Sequence, residues 1–340
     1  MRAYPLLLAC STFLALAACS APDRTSPPQH VHLAGPTMGT TWQVKLPTLP
    51  ERTSRDELQA AIERRLERVN DQMSTYRPDS ELSRFNRHEG TDWFEVSADT
   101  ARVVSAAQQI SALTGGAFDV TVGPLVNLWD FGPDERDARV PSEEELAATR
   151  ERIGYEMLEV RDDPPALRKS QPDLYVDLSA IAKGFGVDQI AVHLENLGTD
   201  SYFIEVGGEI RTRGKKPDGT PWRIGIEAPA ATRLDAQAAQ RVLELGGRAV
   251  ATSGDYRNYW EKDGQRFSHT IDPRTGRPVG HELASVTVVS DDCMTADGWA
   301  TALMVLGPED AYNSAMKQDL AALFIVLQAG GSKDAADSST

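Results

Sequence analysis

Tyr175-Val-Asp177-Leu-Ser179-Ala180-Ile-Ala-Lys183-Gly184-Phe-Gly186-Val-Asp188 decides how this chain is read. Its first residues read as a short apolar strand that turns directly into a helix. A carboxylate, a hydroxyl, a lysine and two glycines sit at the turn. A helix N-terminus carries backbone N–H groups without intrahelical partners and a partial positive charge. Such an end suits phosphates and other anions. Lys183 adds a formal charge one turn into the helix. Taken alone, the stretch is consistent with a nucleotide phosphate site.

Around it, helices and strands mix without a strict βαβ rhythm, which predicts an α+β fold with one large domain. Thr41–Leu46 alternates like a strand. Ser54 and Glu57 form a capping box that opens a helix with Leu58, Ile62, Leu66, Val69 and Met73 on one face. Ser97 opens another helix that ends at Gly115-Gly116, followed by a strand. Ser142 and Glu145 open a third, and the helix after Asp177 stops near Gly198. Strands are expected at Tyr202–Val206, Trp222–Ile226 and Ser285–Val289. A last helix runs over 295–306, and Ala322–Leu327 reads as a buried final strand.

The ends are different in kind. Arg2 and the apolar run Leu6–Ala17 resemble a secretory signal, too short to remain as a membrane span. Leu16-Ala17-Ala18-Cys19 resembles a bacterial lipobox, so residues 1–18 are expected to be removed and Cys19 lipidated. An ordinary signal peptide is the alternative. Residues 19–30 are rich in Pro and Ser and read as a tether, 31–329 as the domain, and 330–340 as a disordered tail. The chain has three cysteines, of which Cys293 alone would remain unmodified in the mature form, so no internal disulfide is expected. A net charge of −15 argues against a nucleic-acid partner.

Several polar clusters carry chemistry, each beside a plainer reading. Met38, in Gly35-Pro-Thr-Met38-Gly39-Thr40, offers a soft contact for a flat ring, or marks a strand-entry turn. Tyr76 suits stacking on an aromatic ligand, while Ser80 and Ser83 suit a short capped turn. Asp119, after Gly115-Gly116-Ala117-Phe118, can accept from a ring N–H or simply shape a turn. Glu205 and Glu209 flank Gly207-Gly208, which reads as a site or as a β-bulge. His269 lies before the turn 270–276 and has the pKa range of a general base, though a lone histidine is often structural. Asp297 and Thr301, spaced i and i+4, share a helix face and suit Mg²⁺, a hard cation that takes oxygen ligands. Capping of the helix start is the alternative for Asp297.

Together these stretches resemble the FAD:protein FMN transferase family, ApbE. The resemblance rests on GPTMGTTW (35–42), STYRPDSELSRFN (74–86), GGAFDVTVGPL (115–125), VDLSAIAKGFGVD (176–188), IEVGGEIR (204–211), ATSGDY (251–256), SHTIDPRTG (268–276) and TADGWATALMVLG (295–307). It implies an ApbE-like fold related to the T-fold, with a ligand cleft between lobes. It implies Mg²⁺-dependent transfer of FMN from FAD to a Thr or Ser hydroxyl of a target protein, with AMP released. By resemblance, Met38, Tyr76, Ala117, Phe118, Asp119, Asp177, Lys183 and Thr270 would hold FAD. Asp297, the Thr301 hydroxyl and the Ala180 carbonyl would hold Mg²⁺. His269 is the candidate base, with Asp297 able to share that role. Gly298-Trp299 departs from the family's commoner small-aliphatic pair. The implied partners are subunits of membrane redox complexes, met by an enzyme anchored through lipid to the periplasmic side, on the inner membrane rather than the outer. An FAD pyrophosphatase and a non-catalytic FAD-binding lipoprotein are the competing functions.

Overall fold

The computed structural model describes residues 30–132, 139–227, 239–254, 259–262 and 264–327. The signal segment, Cys19, most of the tether, the tail, and Asp255 and Tyr256 lie outside the described residues. Among the described residues no helix is long and apolar enough to cross a membrane.

The chain opens with a hairpin of β1 (Val31–Thr37) and β2 (Thr40–Leu46). Its turn residues, Met38 and Gly39, have φ of 47° and 69°. Two positive φ values in a two-residue turn match the twist of the flanking strands. α1 (Arg55–Met73) starts at the Ser54/Glu57 capping box and buries the five apolar residues expected of it. Ser80 caps the short α2 (Glu81–Arg87), the plainer of its two readings. Then come β3 (Phe94–Glu95), α3 (Ala98–Leu113) and α4 (Gly123–Leu128). No strand follows Gly115-Gly116: Asp119 pins a turn there and Pro124 starts α4 instead. α5 (Glu143–Arg150), β4 (Leu158–Asp162) and β5 (Pro165–Lys169) lead to the long α6 (Ser179–Asn196).

The second half is mostly strand. β6 (Tyr202–Val206) and β7 (Glu209–Arg213) form a hairpin, and β8 (Arg223–Glu227) with β9 (Ala239–Glu244) forms a ribbon. β10 (Ala249–Gly254) precedes two small pairs, β11 (Tyr259–Lys262) with β12 (Gln265–Ser268), and β13 (Ile271–Asp272) with β14 (Arg277–Pro278). β15 (Leu283–Ser290), α7 (Cys293–Leu306), α8 (Pro308–Lys317) and β16 (Ala321–Val326) close the chain. The main sheet has seven strands in the order β1-β2-β6-β7-β10-β15-β16, with antiparallel neighbours. β16 is an edge strand and only half-buried, so the fully buried final strand expected there is not found.

One sheet face packs on helices. Tyr202, Ile204 and Val206 meet α1 and α6, while Ala251, Val286 and Val288 meet α7. The other face carries Phe203 and Val250 under Trp222 and Ile224 of the β8 region. Alternation along each strand sends successive residues to opposite faces. The two helices nearest the sheet lie very close to each other. A Cβ placed on Gly184 of α6 would fall 2.3 Å from the Cys293 carbonyl oxygen of α7. Asp188, one turn on, accepts from Cys293 N at 3.0 Å and Met294 N at 2.9 Å, and from Arg211 Nη1 at 2.6 Å. A carboxylate at a helix N-terminus satisfies amides that have no intrahelical partner. Burial pushes the Asp188 pKa up, against these hydrogen bonds.

Removing that carboxylate strands two buried amides and a guanidinium. Asp188→Ala should cost about 3–5 kcal/mol, measured by thermal or denaturant unfolding. Asp188→Asn, which keeps one acceptor, should lose less. Equal stability of wild type and Asp188→Ala would refute the clamp.

Candidate active site

The stretch that turns into α6 differs at its start from the expected strand. Residues 174–178 join no sheet. Asn86 of α2 stands in for a strand partner: its Oδ1 accepts from Val176 N at 2.8 Å and its Nδ2 donates to Val176 O at 2.9 Å. Asp177 N donates to Val120 O at 2.7 Å, which ties this segment to the turn after α3. The half-buried Asp177 carboxylate accepts from Ser179 N at 2.9 Å, so one amide of the helix start is already used. Burial raises the Asp177 pKa.

Lys183 points away from those amides. Its ammonium lies 2.9 Å from Glu209 Oε1 and 3.5 Å from Asp297 Oδ1. Burial disfavours the ammonium, but Asp297 and Glu209 outweigh it and raise its pKa. Gly184 N donates to Asp297 Oδ2 at 3.0 Å. Asp297 therefore sits in the body of α7, against α6. It does not cap the helix, because Asp292 does so by accepting from Thr295 N at 2.8 Å. Burial raises the Asp297 pKa, against the pull of Lys183 and Gly184 N–H.

Glu209, one of the two carboxylates flanking Gly207-Gly208, is the member of this cluster that the sequence did not connect with Lys183 or Asp297. Gly207 and Gly208, with φ of 62° and 108°, make the two-residue turn of the β6–β7 hairpin and not a bulge. That turn places Glu209 at the start of β7, 4% exposed. Burial and the nearby Asp297 push its pKa up to about 7, against Lys183. Glu209 Oε2 is buried with no hydrogen-bond partner. A Cβ on Gly207 would lie 2.9 Å from Thr40 Cγ2 and 3.2 Å from Lys183 Cδ. The hairpin turns of β1–β2 and β6–β7 thus meet over Lys183.

The helices run antiparallel at this contact. Asp188 bonds Cys293 and Met294, Gly184 bonds Asp297, and a Cβ on Gly298 would lie 3.3 Å from Ile181 Cδ1. Ala180, at the start of α6, and Thr301, one turn beyond Asp297 on α7, lie on the two helices that form this contact. Of the three oxygen donors expected for Mg²⁺, Asp297 is fixed at this seam by Gly184 N and Lys183. Two buried carboxylates, Asp297 and Glu209, face one ammonium there, so the seam carries an excess of negative charge whenever both are ionised. A buried anion without full compensation is costly. The excess charge, the orphaned Glu209 oxygen and the all-oxygen donors fit a hard divalent cation. Among the described residues no group of three or more His, Cys, Asp and Glu side chains forms a metal cage.

The other expected residues are spread around this cluster. Met38 is half-buried, and its Cε would lie 3.2 Å from a Cβ on Gly186 of α6. Tyr76 is 70% exposed and lines a cleft of about 560 Å³ with Asn86, Asn127, Arg152 and Tyr175. Lys183 and Asp297 do not line that cleft. Ala117 and Phe118 are 1% and 2% exposed, so their side chains belong to the core and only their backbone can meet a ligand. Asp119 accepts from Thr121 N and Thr121 Oγ1, each at 2.7 Å, and from Tyr155 N at 2.9 Å, which is the turn-forming role. Burial raises its pKa to about 6, despite these bonds. Thr270 is buried, and its carbonyl accepts from Val279 N at 2.9 Å. His269 meets the Phe131 ring edge-on at 6.3 Å between centroids.

This geometry has close parallels. The FAD:protein FMN transferase of Vibrio cholerae serotype O1 is 50% identical over 333 residues, covering 98% of this chain and 97% of that protein. The FAD:protein FMN transferase of Haemophilus influenzae is 44% identical over 329 residues, covering 96% and 93%. Among solved structures, the flavin transferase ApbE from Vibrio cholerae superposes with a TM-score of 0.82 at 51% identity, over 88% of this chain and 94% of that one. The apo Pseudomonas stutzeri flavinyl transferase ApbE gives 0.81 at 42%, over 88% and 92%. The model of the ApbE family matches residues 38–324, and this chain belongs to that family.

Proposed function

We infer that this chain is an FAD:protein FMN transferase that moves the FMN moiety of FAD onto a Thr or Ser hydroxyl of a target protein. The observation that carries the reading is the α6–α7 seam: an ammonium between two buried carboxylates, beside an all-oxygen donor set, in a chain of this family. Phosphoryl transfer needs charge neutralisation and alignment more than covalent catalysis. Mg²⁺, when bound, would screen the pyrophosphate and polarise the phosphorus under attack.

The chain's own groups then have defined tasks. Asp297, Thr301 and the Ala180 carbonyl would supply the oxygen ligands for the metal. Lys183 holds a positive charge beside them for the pyrophosphate, steadied by Glu209. Met38, Tyr76, Asp177, Thr270 and the backbone at Ala117–Asp119 hold the rest of FAD. The acceptor oxygen bonds to the FMN-side phosphorus as that atom's bond to the bridging oxygen breaks. AMP departs with the bridging oxygen and its electron pair. The hydroxyl proton passes to His269, or to Asp297. The acceptors proposed are subunits of membrane redox complexes. Lipid on Cys19 would hold the enzyme at the periplasmic face of the inner membrane.

Three outcomes are expected. Full-length protein in detergent, given FAD, Mg²⁺ and a threonine-bearing acceptor domain, should add the mass of one FMN to the acceptor. Chelation should stop it. Free FMN and AMP beside an unmodified acceptor would favour the pyrophosphatase instead. Asp297→Ala should lower metal-dependent turnover by on the order of a hundredfold or more while the protein stays folded. Unchanged turnover would remove Asp297 from the metal. Cys19→Ser should shift the protein from the membrane to the soluble fraction of cells, and a variant that still sediments with membranes would exclude the lipid anchor.

A further inference from the structure

An aromatic cluster outside the main sheet joins two distant parts of the chain. Trp129, just after α4 and 1% exposed, stacks on Phe267 of β12 with 5.5 Å between ring centroids. Trp260 of β11 stacks on the same Phe267 at 4.3 Å, and its Nε1 donates to the Trp129 carbonyl at 3.1 Å. Two residues further along each segment, Phe131 meets His269 edge-on. The chain at 129–131 therefore runs beside the chain at 267–269, ring against ring. Such pairs fix relative orientation as well as burying area.

The turn that follows His269 is anchored from the same side. Trp129 Nε1 donates to Gly276 O at 2.8 Å, and this bond is buried. Arg150, at the end of α5, donates from Nη2 to Arg274 O at 2.7 Å. Gly276 has a φ of 76° and stands close to α4 and α5: a Cβ there would lie 3.1 Å from Arg150 Cδ and 3.4 Å from Leu125 Cδ2. The turn's own bonds, such as Gly276 N to Asp272 O at 2.8 Å, give it shape but do not place it. Trp129 and Arg150 do that. A buried N–H without an acceptor is costly, so the indole holds the turn at one distance. α4 is itself fixed at its start, where a Cβ on Gly123 would fall 3.5 Å from Asp177 Cβ. This short helix is thus a strut between the segment entering α6 and the segment bearing His269. β13, within that second segment, lies against α7.

We propose that Trp129, aided by Arg150, is a positioning residue for the transfer step: it holds the segment 268–276 so that His269 stands where it can take the proton of the acceptor hydroxyl. This rests on the transferase reading and on His269 as its base. Trp129 is too deeply buried to reach flavin or acceptor, so it acts through the histidine. His269 lies between β12 and β13 and belongs to neither, so strand pairing does not fix it. A base works only within hydrogen-bond reach of the proton it moves. A misplacement of about 1 Å caused far from the chemistry costs on the order of a hundredfold in rate. The indole anchor removes that freedom from the turn, and the Phe131 ring removes it from the imidazole.

The test uses full-length protein with FAD, Mg²⁺ and the acceptor domain that wild type flavinylates, read as the single-turnover rate of FMN transfer at saturating FAD. Trp129→Phe keeps a ring on Phe267 and removes the N–H. It should slow transfer about tenfold or more while the FAD Kd stays near wild type. Arg150→Gln, an exposed change that spares the core, should slow transfer by less. His269→Ala should slow it too. On that background Trp129→Phe should cost nothing further, because a residue that acts through His269 has nothing left to position. A merely structural Trp129 would instead slow the double variant as much as the single one, and that result would overturn the proposal. Wild-type rates in both Trp129→Phe and Arg150→Gln would overturn it as well. Should Trp129→Phe fail to fold, Arg150→Gln with and without His269 decides alone. Wild-type transfer by His269→Ala would refute the histidine as base, and the positioning role with it. FAD cleaved by wild type with no acceptor modified would refute the transferase reading itself.

Discussion

Two helices held at backbone distance by a glycine determine where every charged group of this site stands. Gly184 admits the Cys293 carbonyl so closely that a methyl group in its place would collide with it. The same residue donates its amide to Asp297. Asp188 then locks the register by bonding the first amides of α7. With that register set, Lys183 on one helix faces Asp297 on the other. Packing and charge placement are here a single constraint.

The electrostatics follow from burial. A lysine between two carboxylates in a dry seam is a strong but incomplete neutralisation. The remaining negative charge is held in place by the fold, since Asp297 and Glu209 come from separate elements and cannot move apart without disrupting α7 or the β6–β7 hairpin. A site built this way is already polarised for a cation and for the phosphates it would accompany. Arg211, by contrast, spends its charge on Asp188 and serves the helix contact.

Features governed by near neighbours were legible in the sequence. The capping boxes at Ser54 and Ser142 and the cap at Ser97 form as their residue spacing implies, because a cap is a local hydrogen bond. Lys183 and Asp297 each stand out as charged residues near a helix start, but their pairing came only with the structure. What the sequence concealed was tertiary. The run before Asp177 looks like a strand because it is apolar and extended, but its backbone partner is the side chain of Asn86, 90 residues away. Glu209 reaches Lys183 only after a hairpin turn brings it there. Asp119, Ala117 and Phe118 lie in the expected region, yet the carboxylate bonds its own turn and the apolar pair joins the core. β16 has the composition of an interior strand but lies at the sheet edge, a position that composition does not encode.

The hairpin turn at Met38-Gly39 and the helix bearing Asp297 stand at opposite ends of the chain, and β2 joins the sheet by pairing with β6. The site therefore depends on contacts between residues far apart in sequence. Contacts so distant in sequence pay loop-closure entropy before they gain anything, and they slow folding. Until α7 docks on α6, Lys183 has only part of its surroundings and the oxygen donors are not assembled. An incompletely folded chain lacks the seam altogether, so the capacity to act on a dinucleotide arrives together with the finished fold.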